Sequence, residues 1–108
     1  VNSKNYHHFF PKAFLTKRGF DENQANSIGN ITIVDDYLNK RKIRARAPSD
    51  YMKEFESENP NLAETMSSHL IGDLDDFGIL EDDYERFIEK RSQRILDELN
   101  QRLNPEVS

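Results

Sequence analysis

The feature that most limits the fold of this chain is residues 31–34, Ile-Thr-Ile-Val, the clearest strand signal in the sequence. All four side chains are β-branched, and such side chains favour a pleated backbone. A second strand candidate is Tyr6–Phe10, which is rich in aromatic residues and is closed by Pro11, a residue that cannot donate to a ladder. A unit of two short strands is too small to be stable alone. The sequence therefore predicts an α+β fold in which helices support two strands.

Short helices are predicted next to both strands. In the polar connection between the strands, Asp21 is a suitable N-cap for one helical turn. After the second strand, Asp35 and Asp36 favour a helix start, because carboxylates stabilise a helix N-terminus. That short helix would run through Asn39, which gives the order strand, long loop, strand, helix.

Three further helices are predicted in the second half of the chain. Pro48 and the residues after it open a helix over about residues 50–58, and Pro60 suits the first helical position of a helix over residues 61–70. The last helix, over about residues 81–103, is the longest, because apolar residues recur there at steps of three, four and seven. We expect this long C-terminal helix to pack across the strands.

Length and composition predict one domain, residues 1–108, of a chain that begins with Val1 and is expected to be a piece of a longer protein. There is no cysteine, which excludes disulfides and cysteine-based zinc sites. No apolar run approaches the ~20 residues of a membrane span, and no secretory signal pattern opens the chain. These features are compatible with a cytoplasmic location.

The net charge of −5 conceals two halves of opposite sign. Residues 1–53 hold ten Lys or Arg and five Asp or Glu, which gives +5, whereas residues 54–108 hold five and fifteen, which gives −10. Such asymmetry favours an anionic partner on the basic half. An ordinary basic loop beside a solvated acidic surface would give the same charge pattern.

His7 and His8, next to each other in the first strand, are the main candidates for chemistry. Hydrolysis of a phosphodiester needs a base that takes a proton from water, and histidine suits this role because it titrates near pH 6.5. It also needs a cation that stabilises charge on the phosphate, and something that orients the base. Asn30, before the β-branched strand, and Asn39, in the predicted helix, complete the candidate set.

This ordered set resembles the HNH, or His-Me finger, endonucleases, whose core is a ββα-metal unit. The closest resemblance is to the HNH-type C-terminal domain of GmrSD-like, modification-dependent restriction proteins, and it covers most of the chain. The matching segments are His8–Pro11, Asn30, Leu38–Lys40, Pro48–Tyr51 and Phe87–Arg91.

The resemblance implies a role for each of the four residues. His8 would be the general base, Asn30 would orient the finger and the base, and His7 and Asn39 would bind one divalent metal ion. It further implies a finger over about residues 5–46, helical support over 48–104, and hydrolysis of DNA to 5′-phosphate and 3′-hydroxyl products. An N-terminal nucleotide-using domain and a role in restriction or defence are implied for the parent protein.

Two features of the histidine pair qualify these roles. The position of His7 more often carries an acid in this family, and imidazole suits zinc, nickel or manganese better than magnesium. Mg²⁺ or Mn²⁺ remains the expected ion, with Zn²⁺ or Ni²⁺ as alternatives. In a regular strand, His7 and His8 would also point to opposite faces. Both can serve one site only if the strand ends or bulges there.

The segment that follows Asn39 carries five cations in seven positions, residues 40–46. Cations in this place would contact DNA phosphates without reading bases. The predicted nucleic-acid-binding residues are Lys40, Lys42, Arg44 and Arg46. The alternative for this run is a solvated loop.

Simpler structural roles remain open for the site residues as well. His7 and His8 could be surface or structural residues, and Asn30 could stabilise a turn after Gly29. At the level of function, one alternative is a catalytically inactive HNH-like module that binds nucleic acid or protein. Another is a helical interaction domain in which the histidines are incidental.

Overall fold

A computed structural model describes residues 6–33, 43 and 45–103 of the chain. Two short antiparallel strands, β1 (Tyr6–His8) and β2 (Ile31–Ile33), form its sheet. The register pairs Tyr6 with Ile33, His7 with Thr32 and His8 with Ile31. With the helices below, this confirms the predicted α+β class, and it confirms a strand over residues 31–33 of the β-branched run.

The first strand is shorter than predicted, because it ends at His8 and not at Phe10. Phe9 and Phe10 are both fully buried. A strand that continued would place these neighbours on opposite faces, so one of them would leave the core. The chain bends after His8, and both rings enter the core.

The connection between the strands is mostly helical and compact. It holds α1 (Lys12–Lys17), α2 (Glu22–Ala25) and a 3₁₀ turn (Ile28–Asn30). The predicted N-cap at Asp21 is confirmed: its side chain accepts from the Gln24 N–H at 2.8 Å, and the Gln24 side chain accepts from the Asp21 N–H at 2.8 Å. This reciprocal pair is a capping box, which fixes where α2 begins.

The second half of the chain holds three helices near their predicted positions. These are α3 (Pro48–Glu58), α4 (Leu62–Ser68) and α5 (Tyr84–Leu103). Pro48 is the first residue of α3, where its missing N–H leaves no helical bond unmade. Pro60 was predicted in that position of the next helix, but it lies in the turn before α4, which begins two residues later.

The core is largely aromatic and is centred on the end of β1. Phe9 stacks on Phe87 with 4.9 Å between ring centroids, and Phe10 meets Tyr84 edge-on at 5.1 Å. Edge-to-face and offset pairs of this kind add to the energy of area burial. Because Phe87 and Tyr84 belong to α5, the long helix packs against the segment that carries the two histidines, as expected.

The C-terminal half of α5 extends past this core. Leu96 and Leu99 are each 50% exposed and Leu103 is 74% exposed. Of the helices in the described part of the chain, none is long and apolar enough to span a membrane. The predicted helix over Asp36–Asn39 lies outside the described residues.

Candidate functional site

The two histidines occupy neighbouring rungs of the sheet. His7 lies opposite Thr32 and His8 lies opposite Ile31, and both imidazoles are half-buried. Side chains on successive residues of a strand leave opposite faces of the sheet. His8 is also the last residue of β1, so the chain bends just beyond the proposed base.

The ring of His8 faces the end of α2. Its Nε2 atom lies 2.7 Å from Oδ1 of Asn26, the residue that caps the C-terminus of that helix. An amide oxygen accepts hydrogen bonds, so in this arrangement the ring donates from Nε2. A neutral imidazole with its proton on Nε2 has its lone pair on Nδ1.

Asn30 is fully buried and fixes the loop between the strands to the end of β1. Its Oδ1 accepts from the Phe10 N–H at 2.7 Å, and its Nδ2 donates to the Phe10 carbonyl at 3.0 Å and to the Ala25 carbonyl at 2.9 Å. Its own carbonyl accepts from the Phe9 N–H at 2.8 Å. One side chain therefore binds both the segment after His8 and the end of α2.

Arg91, a residue of α5, binds the backbone on both sides of Asn30. The guanidinium is buried, and its Nη1 donates to the carbonyls of Gly29 at 2.9 Å and Ile31 at 2.7 Å. Its Nη2 donates to the carbonyl of His69 at 3.3 Å. The carbonyls on both sides of Asn30 are thus bound by one charged group, and hydrogen bonds to a charged donor are stronger than neutral ones.

Two tyrosine hydroxyls complete the frame around the histidines. Tyr51 of α3 donates to the carbonyl of Phe9, and Tyr84 of α5 donates to the carbonyl of Gln24 in α2. Burial raises the pKa of Tyr84 to about 12, because the phenolate would lose its hydration. The backbone on both sides of the His8 ring is therefore fixed by side chains from distant helices.

The predicted metal site is only half contained in the described residues. His7 lies on β1, whereas Asn39 falls outside the described part. Within residues 6–33, 43 and 45–103 there is no group of three or more His, Cys, Asp or Glu side chains that could hold a metal ion. An imidazole nitrogen and an amide oxygen can both act as ligands to a divalent metal ion. The predicted pair is therefore chemically suited to bind such an ion weakly.

The basic run is represented by Arg46, because Lys40, Lys42 and Arg44 lie outside the described residues. Arg46 pairs with Asp50 at 3.0 Å and with Glu54 at 2.9 Å. The hydrogen bond from Arg46 lowers the pKa of Asp50, and the same bond raises the pKa of Arg46. A phosphate that bound Arg46 would compete with two carboxylates, which the sequence did not suggest.

Asn26 was not predicted to belong to the site, and Arg91 was predicted only as the end of the segment Phe87–Arg91. Asn26 stands in a polar connection where asparagine is common, and nothing local marks it as a partner of His8. The sequence did contain an indication of the role of Arg91. It lies one helical turn after Phe87 on the apolar face of α5, where a charged side chain needs a buried partner.

Comparison with known proteins adds little to this geometry. No protein-family model matches the chain, and no solved structure matches it. The chain is 33% identical, over an alignment of 116 residues, to the uncharacterized protein MJ0686 of Methanocaldococcus jannaschii. The alignment covers 86% of this chain but 20% of that protein, so the chain spans about a fifth of the relative's length. The relative's name states no activity.

Proposed function

We propose that this chain is an HNH-type endonuclease domain that hydrolyses DNA phosphodiester bonds with one divalent metal ion. The observation that carries the proposal is the buried carboxamide of Asn30, which binds both backbone groups of Phe10 and so holds the strand end behind His8. This is the role that the resemblance implies for the central asparagine. A loop asparagine that only shaped its own turn would bond locally and would not reach a residue twenty positions away.

Four of the five segments that carry the resemblance lie within the described residues, and contacts join them. Tyr51 reaches the Phe9 carbonyl, and Phe87 stacks on the Phe9 ring. Arg91 binds the carbonyls on both sides of Asn30. This convergence supports the proposal, because the segments that the resemblance selects from the sequence are the ones that pack around the strand end that bears His8.

In the proposed reaction, His8 takes a proton from water. The oxygen of that water forms a bond to phosphorus, and the bond from phosphorus to the 3′ oxygen breaks. The 3′ oxygen takes a proton from solvent, and the products carry a 5′-phosphate and a 3′-hydroxyl. Fixed backbone on both sides of the ring keeps the base aimed, which a general base requires.

His7 and Asn39 are the residues that would hold the metal ion. A bound divalent ion supplies positive charge that stabilises the phosphate oxygens as negative charge develops on them. Lys40, Lys42, Arg44 and Arg46 would contact neighbouring phosphates. By the resemblance alone, the domain would belong to a cytoplasmic restriction or defence protein that also contains a nucleotide-using domain.

The decisive experiment is the substitution His8→Ala in a cleavage assay with Mg²⁺ or Mn²⁺ and plasmid DNA, with and without modified bases. Loss of one positioned base should slow cleavage by ~10²–10⁴-fold. His69→Ala is the matched control, because it removes a histidine outside the proposed site while the backbone carbonyl that Arg91 binds is retained. Circular dichroism should show that both variants keep their helices.

Two results would each contradict a part of the proposal. Cleavage at the wild-type rate by His8→Ala would remove His8 from the chemistry. Absence of metal-dependent cleavage by the wild-type protein, combined with salt-sensitive DNA binding, would instead favour the alternative of an inactive HNH-like binding module.

A further inference from the structure

We propose that Asn26 is a positioning residue that holds the neutral His8 ring in the Nε2–H tautomer, so that Nδ1 is the atom that takes the proton. The catalytic part of this inference rests on the proposed nuclease function, whereas the tautomer is a property of the folded chain itself. The starting observation is the 2.7 Å separation between His8 Nε2 and Asn26 Oδ1.

A neutral imidazole has one donor nitrogen and one acceptor nitrogen, and its neighbours decide which is which. An amide oxygen can only accept, so Oδ1 of Asn26 selects the ring form with the proton on Nε2. The tautomer of a catalytic histidine matters greatly, since the wrong form presents a proton where a lone pair is needed.

The backbone of Asn26 is held next to His8 by contacts on both sides. Its N–H donates to the Glu22 carbonyl at 3.0 Å as the C-cap of α2. Asn30 donates to the carbonyl of Ala25, and Tyr84 donates to the carbonyl of Gln24. The last turn of α2 is therefore anchored to the loop and to α5, which fixes the backbone that carries the Asn26 side chain.

The helix end itself does not require an asparagine at this position. Asn26 has φ of −89° and ψ of 12°, a conformation open to most residues, and its side chain is exposed. Asparagine is favoured at helix C-termini when φ is positive, which is not the case here. The hydrogen bond to His8 therefore explains why an asparagine side chain is used at this position.

The test is nitrogen-15 NMR of the imidazole rings in the metal-free protein at about pH 8.5. Imidazole nitrogen shifts differ strongly between protonated and unprotonated atoms, so they report the tautomer directly. In the wild type, we expect a protonated Nε2 and an unprotonated Nδ1. His69 provides an internal reference.

Two variants separate this role from a structural one. Asn26→Ala should shift the ring towards a mixture of tautomers, while Asn26→Asp should restore the Nε2–H form because a carboxylate also accepts. Cleavage by Asn26→Ala should show kcat reduced ~10-fold or more with KM unchanged, as for other groups that orient a functional histidine.

The inference is overturned if the wild-type ring carries its proton on Nδ1, or if Asn26→Ala leaves the ring signals unchanged. It is also overturned if the ring signals respond as expected but kcat does not change. Failure of the nuclease proposal would appear separately, as absence of metal-dependent cleavage by the wild-type protein, and would leave the NMR result intact.

Discussion

At the scale of single residues, the most consequential side chain is Asn30. Its carboxamide makes three buried hydrogen bonds, two to Phe10 and one to Ala25, and each polar atom of the amide is used. A buried backbone group that loses its partner costs about 1–3 kcal/mol. Asn30 therefore contributes both to stability and to the proposed site. It binds Phe10, which follows the strand end at His8, and Ala25, which precedes Asn26 at the end of α2.

Replacement of Asn30 should be far more damaging than replacement of an exposed asparagine in the same loop. Asn30→Ala leaves one N–H and two carbonyls buried without this partner, so we expect a loss of about 3–5 kcal/mol in the free energy of unfolding. Asn23→Ala, in the exposed part of α2, is the control and should change it by less than about 0.5 kcal/mol. Urea titration of both variants measures the difference, and similar values would mean that Asn30 contributes no more than a surface residue.

At the scale of secondary structure, α3 begins with a cap supplied by a distant loop. Asp82 lies just before α5, yet its Oδ1 accepts from the Ser49 N–H at 2.8 Å and its Oδ2 accepts from the Ser49 hydroxyl at 2.7 Å. The Ser49 N–H is one of the first amides of α3, which have no partner inside the helix. Asp82 has φ of 56°, a left-handed conformation that asparagine and aspartate tolerate better than other side chains.

Substitutions can therefore test the capping hydrogen bonds of Asp82 separately from its negative charge. Asp82→Ala should lower the free energy of unfolding by about 1–2 kcal/mol, because it removes the cap and retains the positive φ. Asp82→Asn keeps an acceptor and tolerates that φ, so it should lie within about 0.5 kcal/mol of wild type. Asp75→Ala removes the same charge from an exposed loop residue and serves as the control. Equal losses for Asp82→Ala and Asp75→Ala would show that charge, and not capping, is what matters.

At the scale of the whole molecule, Tyr84 connects α5 to α2 across sixty positions of sequence. Its ring meets Phe10 and Phe20, and burial raises its pKa to about 12. The unfolded chain would ionise this tyrosine near its usual pKa of ~10, two units earlier. Between these two values the unfolded state binds fewer protons than the folded state, so stability falls as the pH rises.

Wild-type protein should therefore lose stability between about pH 10 and pH 12 more steeply than Tyr84→Phe. Below about pH 9 the two proteins should differ by a constant of about 1 kcal/mol, the contribution of the lost hydrogen bond to Gln24. Guanidinium titrations at a series of pH values measure both quantities. Parallel curves through the alkaline range would show that Tyr84 does not ionise on unfolding there.

Sequence alone determined the features that depend on local signals. The β-branched strand, the capping box that starts α2 and the long amphipathic α5 were all predictable, because their causes lie within a few residues of chain. The candidate site was predictable only as a set of residue types in order, His7, His8, Asn30 and Asn39, the last of which lies outside the described residues.

Tertiary structure alone decided how these elements are joined. Strand β1 ends early because two adjacent phenylalanines must both enter the core. The partners of His8, Asn30 and Arg91 are set by contacts across 18, 20 and 62 positions of sequence. A buried polar group needs a partner from whatever element folding brings near it, and no local pattern encodes which one that will be.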